Sequence, residues 1–65
     1  MNKETIYPYA ISISDGHSED WYYYRLEEEY KRAFELFKID ESDIHGYVLN
    51  ENNEYEVIDS YWDGE

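Results

Sequence analysis

Residues 20–32, "DWYYYRLEEEYKR", place four adjacent aromatic side chains in front of three glutamates. Across residues 18–38 the apolar positions recur with the 3.6-residue spacing of an amphipathic helix. The spacing therefore predicts one long helix over 18–38. In that helix two of the four rings flank the buried stripe, Tyr22 and Tyr23, and two lie on the opposite half, Trp21 and Tyr24.

A short segment before this helix has the alternation of a β-strand. Residues 5–13, "TIYPYAISI", place apolar side chains at every second position, which predicts a strand over 9–14. Pro8 lacks an amide proton and suits an edge or the start of a strand. The following "SDG", residues 14–16, is typical of a turn.

The last third of the chain predicts a β-hairpin. In "GYVLNENNEYEVIDSYW", residues 46–62, we expect residues 47–49 to pair with 55–58 across the asparagine-rich 50–53. Asparagine tolerates the left-handed backbone that tight turns need. Between helix and hairpin, residues 40–45, "DESDIH", begin with a capping residue and end before a glycine, so we expect a short helical turn or a structured loop.

Together these segments predict a single domain over residues 1–65 with an α+β fold. The predicted order is β-α-β-β: a three-stranded, largely antiparallel sheet with one long helix on one face, plus the short helical turn. The chain contains no cysteine, so disulfides are excluded, and its 13 aromatic residues must supply much of the core.

The charge of the chain is strongly acidic and unevenly placed. Seventeen acids and five lysines or arginines give a net charge of −12. From Ile39 onward there are nine acids and no lysine or arginine. Such a charge opposes binding to nucleic acid or to an anionic membrane, and it favours a basic protein as the partner.

Carboxylates along the predicted hairpin form a row whose charge resembles that of a nucleic-acid backbone. Alternate side chains of a strand are about 6.6 Å apart, and phosphates on one DNA strand are about 3.4 Å apart along the axis. We therefore expect a partner-binding surface with two aromatic anchors and a secondary patch on the helix. Its acids are Glu51, Glu54, Glu56, Asp59, Asp63 and Glu65, its anchors are Tyr61 and Trp62, and the secondary patch is Tyr24, Glu27 and Glu28. The alternatives are a solvated acidic surface and, for Trp62, a place in the core.

The sequence offers little for catalysis or for a cofactor. His17 and His45 are isolated in turn-like segments, the serines lack a nucleophile-elbow context, and the three glycines form no phosphate loop. "DESDIH" and "NENNE" supply oxygen ligands but not the spacing of a calcium-binding EF-hand loop. We expect no enzymatic activity, no cofactor and no specific metal site.

In size, charge, tyrosine content and the acidic stretch "YEVIDSYWDGE", residues 55–65, the chain resembles small phage-encoded inhibitors that imitate DNA. Among these it resembles anti-CRISPR proteins, including those directed at type I-C effectors. The resemblance implies action in the host bacterial cytoplasm, by occupying a basic DNA-binding surface such as the one that reads the PAM. Uracil-DNA glycosylase inhibitors and antirestriction proteins are similar at this level.

Two other functions remain open. The chain could be an antitoxin or immunity protein that blocks a basic nuclease, or an accessory module whose acidity serves solubility alone. We expect a monomer, with no export signal and no membrane span. Exposed Trp21, Tyr24 or Trp62 could instead seal a dimer.

Overall fold

Four strands and one helix make up residues 7–62, the part of the chain that the computed structural model describes. The strands form one antiparallel sheet in the order β2-β1-β3-β4, so β2 and β4 are its edges. The fold is α+β, as predicted, but the sheet has four strands and not three. The elements are β1 Tyr9–Ser14, β2 Glu19–Tyr24, α1 Glu27–Asp40, β3 Asp43–Leu49 and β4 Tyr55–Trp62.

The long helix predicted over 18–38 is wrong over residues 18–26, because the aromatic run belongs to β2. The turn before β2 explains this difference. In that turn the Asp15 carboxylate accepts hydrogen bonds from the backbone amides of His17 and Ser18, each at 2.9 Å. Gly16 adopts a φ of +93°, which a residue without a Cβ tolerates. This tight turn directs the chain back along β1, and aromatic residues suit the strand that results.

The strand distributes the four rings differently from the predicted helix. Residues directly opposite in the sheet share a face. Tyr22 lies opposite Ile11 and Tyr24 opposite Tyr9, so both rings are on the helix side. Trp21 and Tyr23 lie on the other side. The prediction that paired Tyr22 with Tyr23 and Trp21 with Tyr24 is therefore wrong, because side chains alternate with period two in a strand.

Helix α1 begins only after the aromatic run. Its N-cap residue, Leu26, has an extended backbone and makes no side-chain capping bond. Three glutamates occupy the first turn and Lys38 the last, which suits the helix dipole. At 14 residues and with this charge, α1 is neither long nor apolar enough to cross a membrane.

The predicted β3–β4 hairpin is confirmed. Tyr47 pairs with Val57 and Leu49 with Tyr55, across a turn in which Asn53 has a left-handed φ of 63°. The short helical turn predicted over 40–45 is wrong, since β3 already starts at Asp43. The additional strand length pairs with both β1 and β4, and this pairing outweighs the local capping signal.

The core lies between α1 and one face of the sheet. Ile11, Ile13 and Ile44 contribute from the strands, and Tyr30 and Phe34 from the helix. Tyr30 is 2% exposed, and its hydroxyl donates to Asp59 Oδ2 at 2.6 Å.

Candidate functional site

The turn of the β3–β4 hairpin and the start of β4 carry a group of exposed carboxylates, which we call the acidic hairpin: Glu51, Glu54 and Glu56. Asn50 organises it, because its Oδ1 accepts the amides of Asn52 and Glu54 at 2.8 and 3.0 Å. Asn50 Nδ2 also donates to Glu56 Oε2 at 3.0 Å. Three of the predicted partner-binding acids are therefore brought together at one end of the sheet.

Asp59 lies farther along β4 and is not a free member of this group. A β-bulge shifts the register, so Gly46 pairs with Asp59 while Tyr47 pairs with Val57. The extra residue places Glu56 and Asp59 on the same, helix-facing side, three positions apart. Because the Tyr30 hydroxyl already donates to Asp59, this carboxylate connects β4 to α1.

The two predicted aromatic anchors point to opposite faces of the sheet. Tyr61 packs at the margin of the core, with the Lys38 ammonium 5.6 Å from its ring centre. Trp62 pairs with Asp43 and is 71% exposed, so it is not a core residue. Its position at the far end of β4, an eight-residue strand, separates it from the acidic hairpin by roughly 23 Å. The predicted site residues Asp63 and Glu65 lie outside the described residues.

The secondary patch predicted on the helix is only partly assembled. Tyr24 is the last residue of β2, not a helix residue, and it packs against the core. Burial raises its pKa, and neighbouring Tyr22 adds to the effect. The Glu27 carboxylate lies 3.5 Å from the Lys31 ammonium, one helical turn further along α1, and Glu28 is exposed in the first turn.

Sequence reasoning missed a polar network on the sheet face remote from the helix. His45 Nε2 lies 3.1 Å from Asp43 Oδ1, and His45 Nδ1 lies 3.2 Å from Ser60 Oγ. These are the residue types of a hydrolytic triad, but Asp43 and His45 are only half-buried and Ser60 is exposed. The i,i+2 spacing of Asp43 and His45 signals the contact once residues 43–49 are recognised as a strand. We interpret the network as a polar link between β3 and β4.

Sequence reasoning also missed a cluster of rings on that same sheet face, which we call the aromatic face: Tyr7, Trp21, Tyr23, Tyr47 and Tyr55. Four of its members come from β2, β3 and β4, and Tyr7 lies two residues before the start of β1. Ring centres are separated by 4.8 Å for Trp21–Tyr47, 6.4 Å for Trp21–Tyr23, 6.0 Å for Tyr23–Tyr55 and 6.1 Å for Tyr7–Tyr23.

The aromatic face has a buried base and an open surface. Ala10 and Ser12 of β1 are 0% and 1% exposed, although α1 packs on the other side of the sheet. Above them, Trp21 and Tyr23 remain 39% and 48% exposed. The rings therefore seal the sheet and still present a broad apolar surface to solvent.

A cavity of about 410 Å³ lies on the helix side, between α1 and β4. Tyr30, Phe34 and Tyr61 supply its apolar walls, and the Lys38 ammonium at its margin is 3.0 Å from Glu35. Within residues 7–62, no three histidine, aspartate or glutamate side chains converge in a way that could hold a metal ion.

Comparison of the chain with protein-family models, with curated proteins and with solved structures finds no significant match. The interpretation of the site therefore depends on its own geometry and charge.

Proposed function

We propose that this protein is a non-enzymatic inhibitor that presents carboxylates, in place of phosphates, to a basic nucleic-acid-binding protein. The observation that carries the proposal is the charge of residues 39–62, which include β3 and β4. From Ile39 to Trp62 the chain has seven acids and no lysine or arginine, and the acidic hairpin is exposed. The target that we propose is the PAM-reading surface of a CRISPR effector, with type I-C as the first candidate.

The physical basis is electrostatic complementarity. A net charge of −12 steers the protein toward a positive groove and opposes its encounter with DNA itself. The hydrogen bonds of Asn50 already fix the backbone that carries these carboxylates, so binding needs to order less of the chain. Binding should weaken steeply as salt increases, because exposed charges are screened within about 10 Å at 0.1 M.

The test is charge reversal at the acidic hairpin. Glu51→Lys with Glu54→Lys changes two exposed side chains and leaves intact the hydrogen bonds of the Glu56 and Asp59 carboxylates. We expect this variant to lose about tenfold or more in its ability to displace a PAM-containing duplex from a purified type I-C effector complex.

A matched control carries the same charge change at the other edge of the sheet. Glu19→Lys with Asp20→Lys alters two exposed residues of β2, at the end remote from the acidic hairpin. We expect competition by this control to stay within about threefold of the unmodified protein. Equal losses in both variants would mean that net charge acts without a local site. Undiminished competition by a folded hairpin variant would remove the assignment to Glu51 and Glu54.

A further inference from the structure

We propose that the aromatic face is a second docking surface and that it receives arginine side chains of the basic partner protein. The inference rests on the proposed function in one respect, which is that the partner is basic. It adds a surface on the side of the sheet opposite α1 and assigns that surface a preference for arginine over lysine.

No element of residues 7–62 packs over the aromatic face, and its rings face solvent. Trp21 and Tyr23 are 39% and 48% exposed on the side of the sheet that α1 does not occupy. Val57, opposite Tyr47 in the register, extends the surface and is 56% exposed. Contiguous apolar surface of this kind on a small protein typically marks an interaction site.

The rings are held in place before any partner arrives. Tyr47 shares a 3.2 Å hydrogen bond with Ser12 Oγ, and the Tyr55 hydroxyl donates to the Tyr7 carbonyl at 2.7 Å. Tyr23 contacts the rings of Tyr7, Trp21 and Tyr55. Because these side chains are already ordered, binding costs little additional side-chain entropy.

The chemistry of the surface favours a guanidinium group. The faces of tyrosine and tryptophan rings attract cations, and the planar guanidinium group stacks on them better than an ammonium does. The protein already makes one such contact, since the Arg25 guanidinium carbon lies 5.5 Å from the centre of the Tyr7 ring. The Asp43 carboxylate lies on the same side of the sheet as the rings, because Asp43 and Tyr47 are four positions apart on β3.

Charge also decides against two other occupants of a stacking surface. Nucleic-acid bases stack on exposed rings, but their phosphates are repelled by a protein with a net charge of −12. A second copy of this chain would bring an equal negative charge to the interface. An arginine-bearing protein surface matches both the rings and the negative charge of the protein.

Two peptides of equal charge, octa-arginine and octa-lysine, test the proposal. Fluorescence anisotropy at 0.15 M salt measures their binding to the unmodified protein and to Tyr23→Leu, which removes a ring but keeps an apolar side chain. We expect the unmodified protein to prefer octa-arginine by about fivefold. We expect Tyr23→Leu to weaken octa-arginine binding about two- to fivefold and to leave octa-lysine binding unchanged.

The matched control is Tyr22→Leu, the same substitution on the same strand. Tyr22 is 41% exposed, close to the 48% of Tyr23, but its ring faces α1 and lies 5.2 Å from Phe37. We expect the control to keep the preference for arginine. Trp21→Leu is the second face variant, and thermal melting establishes that each variant is folded.

Several results would overturn the proposal. One is equal affinity of the unmodified protein for the two peptides. Another is an equal loss of octa-arginine affinity in folded Tyr22→Leu and Tyr23→Leu variants. A dimer by sedimentation that Tyr23→Leu dissociates would assign the face to self-association. Binding of oligo(dT) that Tyr23→Leu abolishes would assign it to nucleic acid.

The acidic-hairpin variant separates this proposal from the proposed function. Reversal of Glu51 and Glu54 should weaken the binding of both peptides to a similar degree, since it acts through charge alone. If that variant leaves both affinities unchanged while Tyr23→Leu lowers only octa-arginine binding, the result contradicts the role proposed for the acidic hairpin and supports the one proposed for the aromatic face. If charge reversal weakens the binding of both peptides while Tyr23→Leu changes neither affinity, the acidic hairpin is supported and the aromatic face is not.

Discussion

At the scale of single residues, the contact of Tyr30 with Gly46 and Asp59 connects the helix to the sheet. A Cβ at Gly46 would lie 2.8 Å from Cζ of Tyr30 and closer still to its hydroxyl, so the ring occupies the space of a side chain. The hydroxyl then reaches Asp59 on β4. An acid that the sequence assigned to partner binding is thus also a hydrogen-bond acceptor of the fold.

This contact predicts that stability falls at alkaline pH. Burial first, then the hydrogen bond to Asp59, raises the pKa of Tyr30 well above its usual value of 10. A group with a raised pKa contributes stability fully below its unfolded pKa and loses it as pH rises beyond that value. We expect the free energy of unfolding, measured with urea, to decline above about pH 10, by about 1.4 kcal/mol per pH unit from this group.

Tyr30→Phe is the control for that measurement. At pH 7 it should cost about 1–2 kcal/mol, because the Asp59 carboxylate loses its donor. Above pH 10 its free energy of unfolding should decline less steeply than that of the unmodified protein. The difference in slope is that of one titrating group, about 1.4 kcal/mol per pH unit. Equal slopes for the two proteins would show that other tyrosines, such as Tyr24 and Tyr55, whose pKa values burial also raises, cause the decline.

At the scale of elements, the aromatic run shows how two local signals compete. Residues 18–38 match helical spacing, yet residues 19–24 form β2. The predicted turn over 14–16 favours a strand at 19–24 over a helix, since a tight turn between two β-prone segments forms a hairpin. A strand also suits four adjacent rings better than a helix does, because alternate side chains serve two different surfaces.

The β3–β4 turn depends on Asn50 more than on its other asparagines. Asn50→Ala removes the acceptor for two backbone amides and the donor to Glu56, so we expect a loss of about 1–2 kcal/mol in the free energy of unfolding. Asn53→Gly should change stability by less than about 0.5 kcal/mol, because glycine accepts the left-handed φ of 63°. Urea unfolding of both variants checks the ranking, and a larger loss for Asn53→Gly would contradict it.

At the scale of the whole molecule, the net charge of −12 predicts that salt stabilises the fold. Screening shortens the range of charge repulsion from about 30 Å at 0.01 M to about 3 Å at 1 M ionic strength. A gain of about 1 kcal/mol would raise the melting temperature of a domain of this size by about 4–8 °C. Melting curves in sodium chloride between those concentrations measure the effect.

Reversal of Glu51 and Glu54 serves again as the comparison, because each replacement changes the net charge by two, from −12 to −8. We expect its melting temperature to depend less on salt than that of the unmodified protein. The same dependence in both would mean that salt acts through apolar surface and not through charge repulsion.

The composition and local patterns of the chain determine its charge, its α+β class, the strand over 9–14, the β3–β4 hairpin and the acids of the acidic hairpin. Each depends on residues within a few positions of one another. Only the tertiary structure decides that Asp59 faces Tyr30, that Trp62 lies on the sheet face away from α1, and that five rings form one surface. The physical reason is register: which face a strand residue occupies depends on pairing between segments such as β1 and β3, which are far apart in the chain.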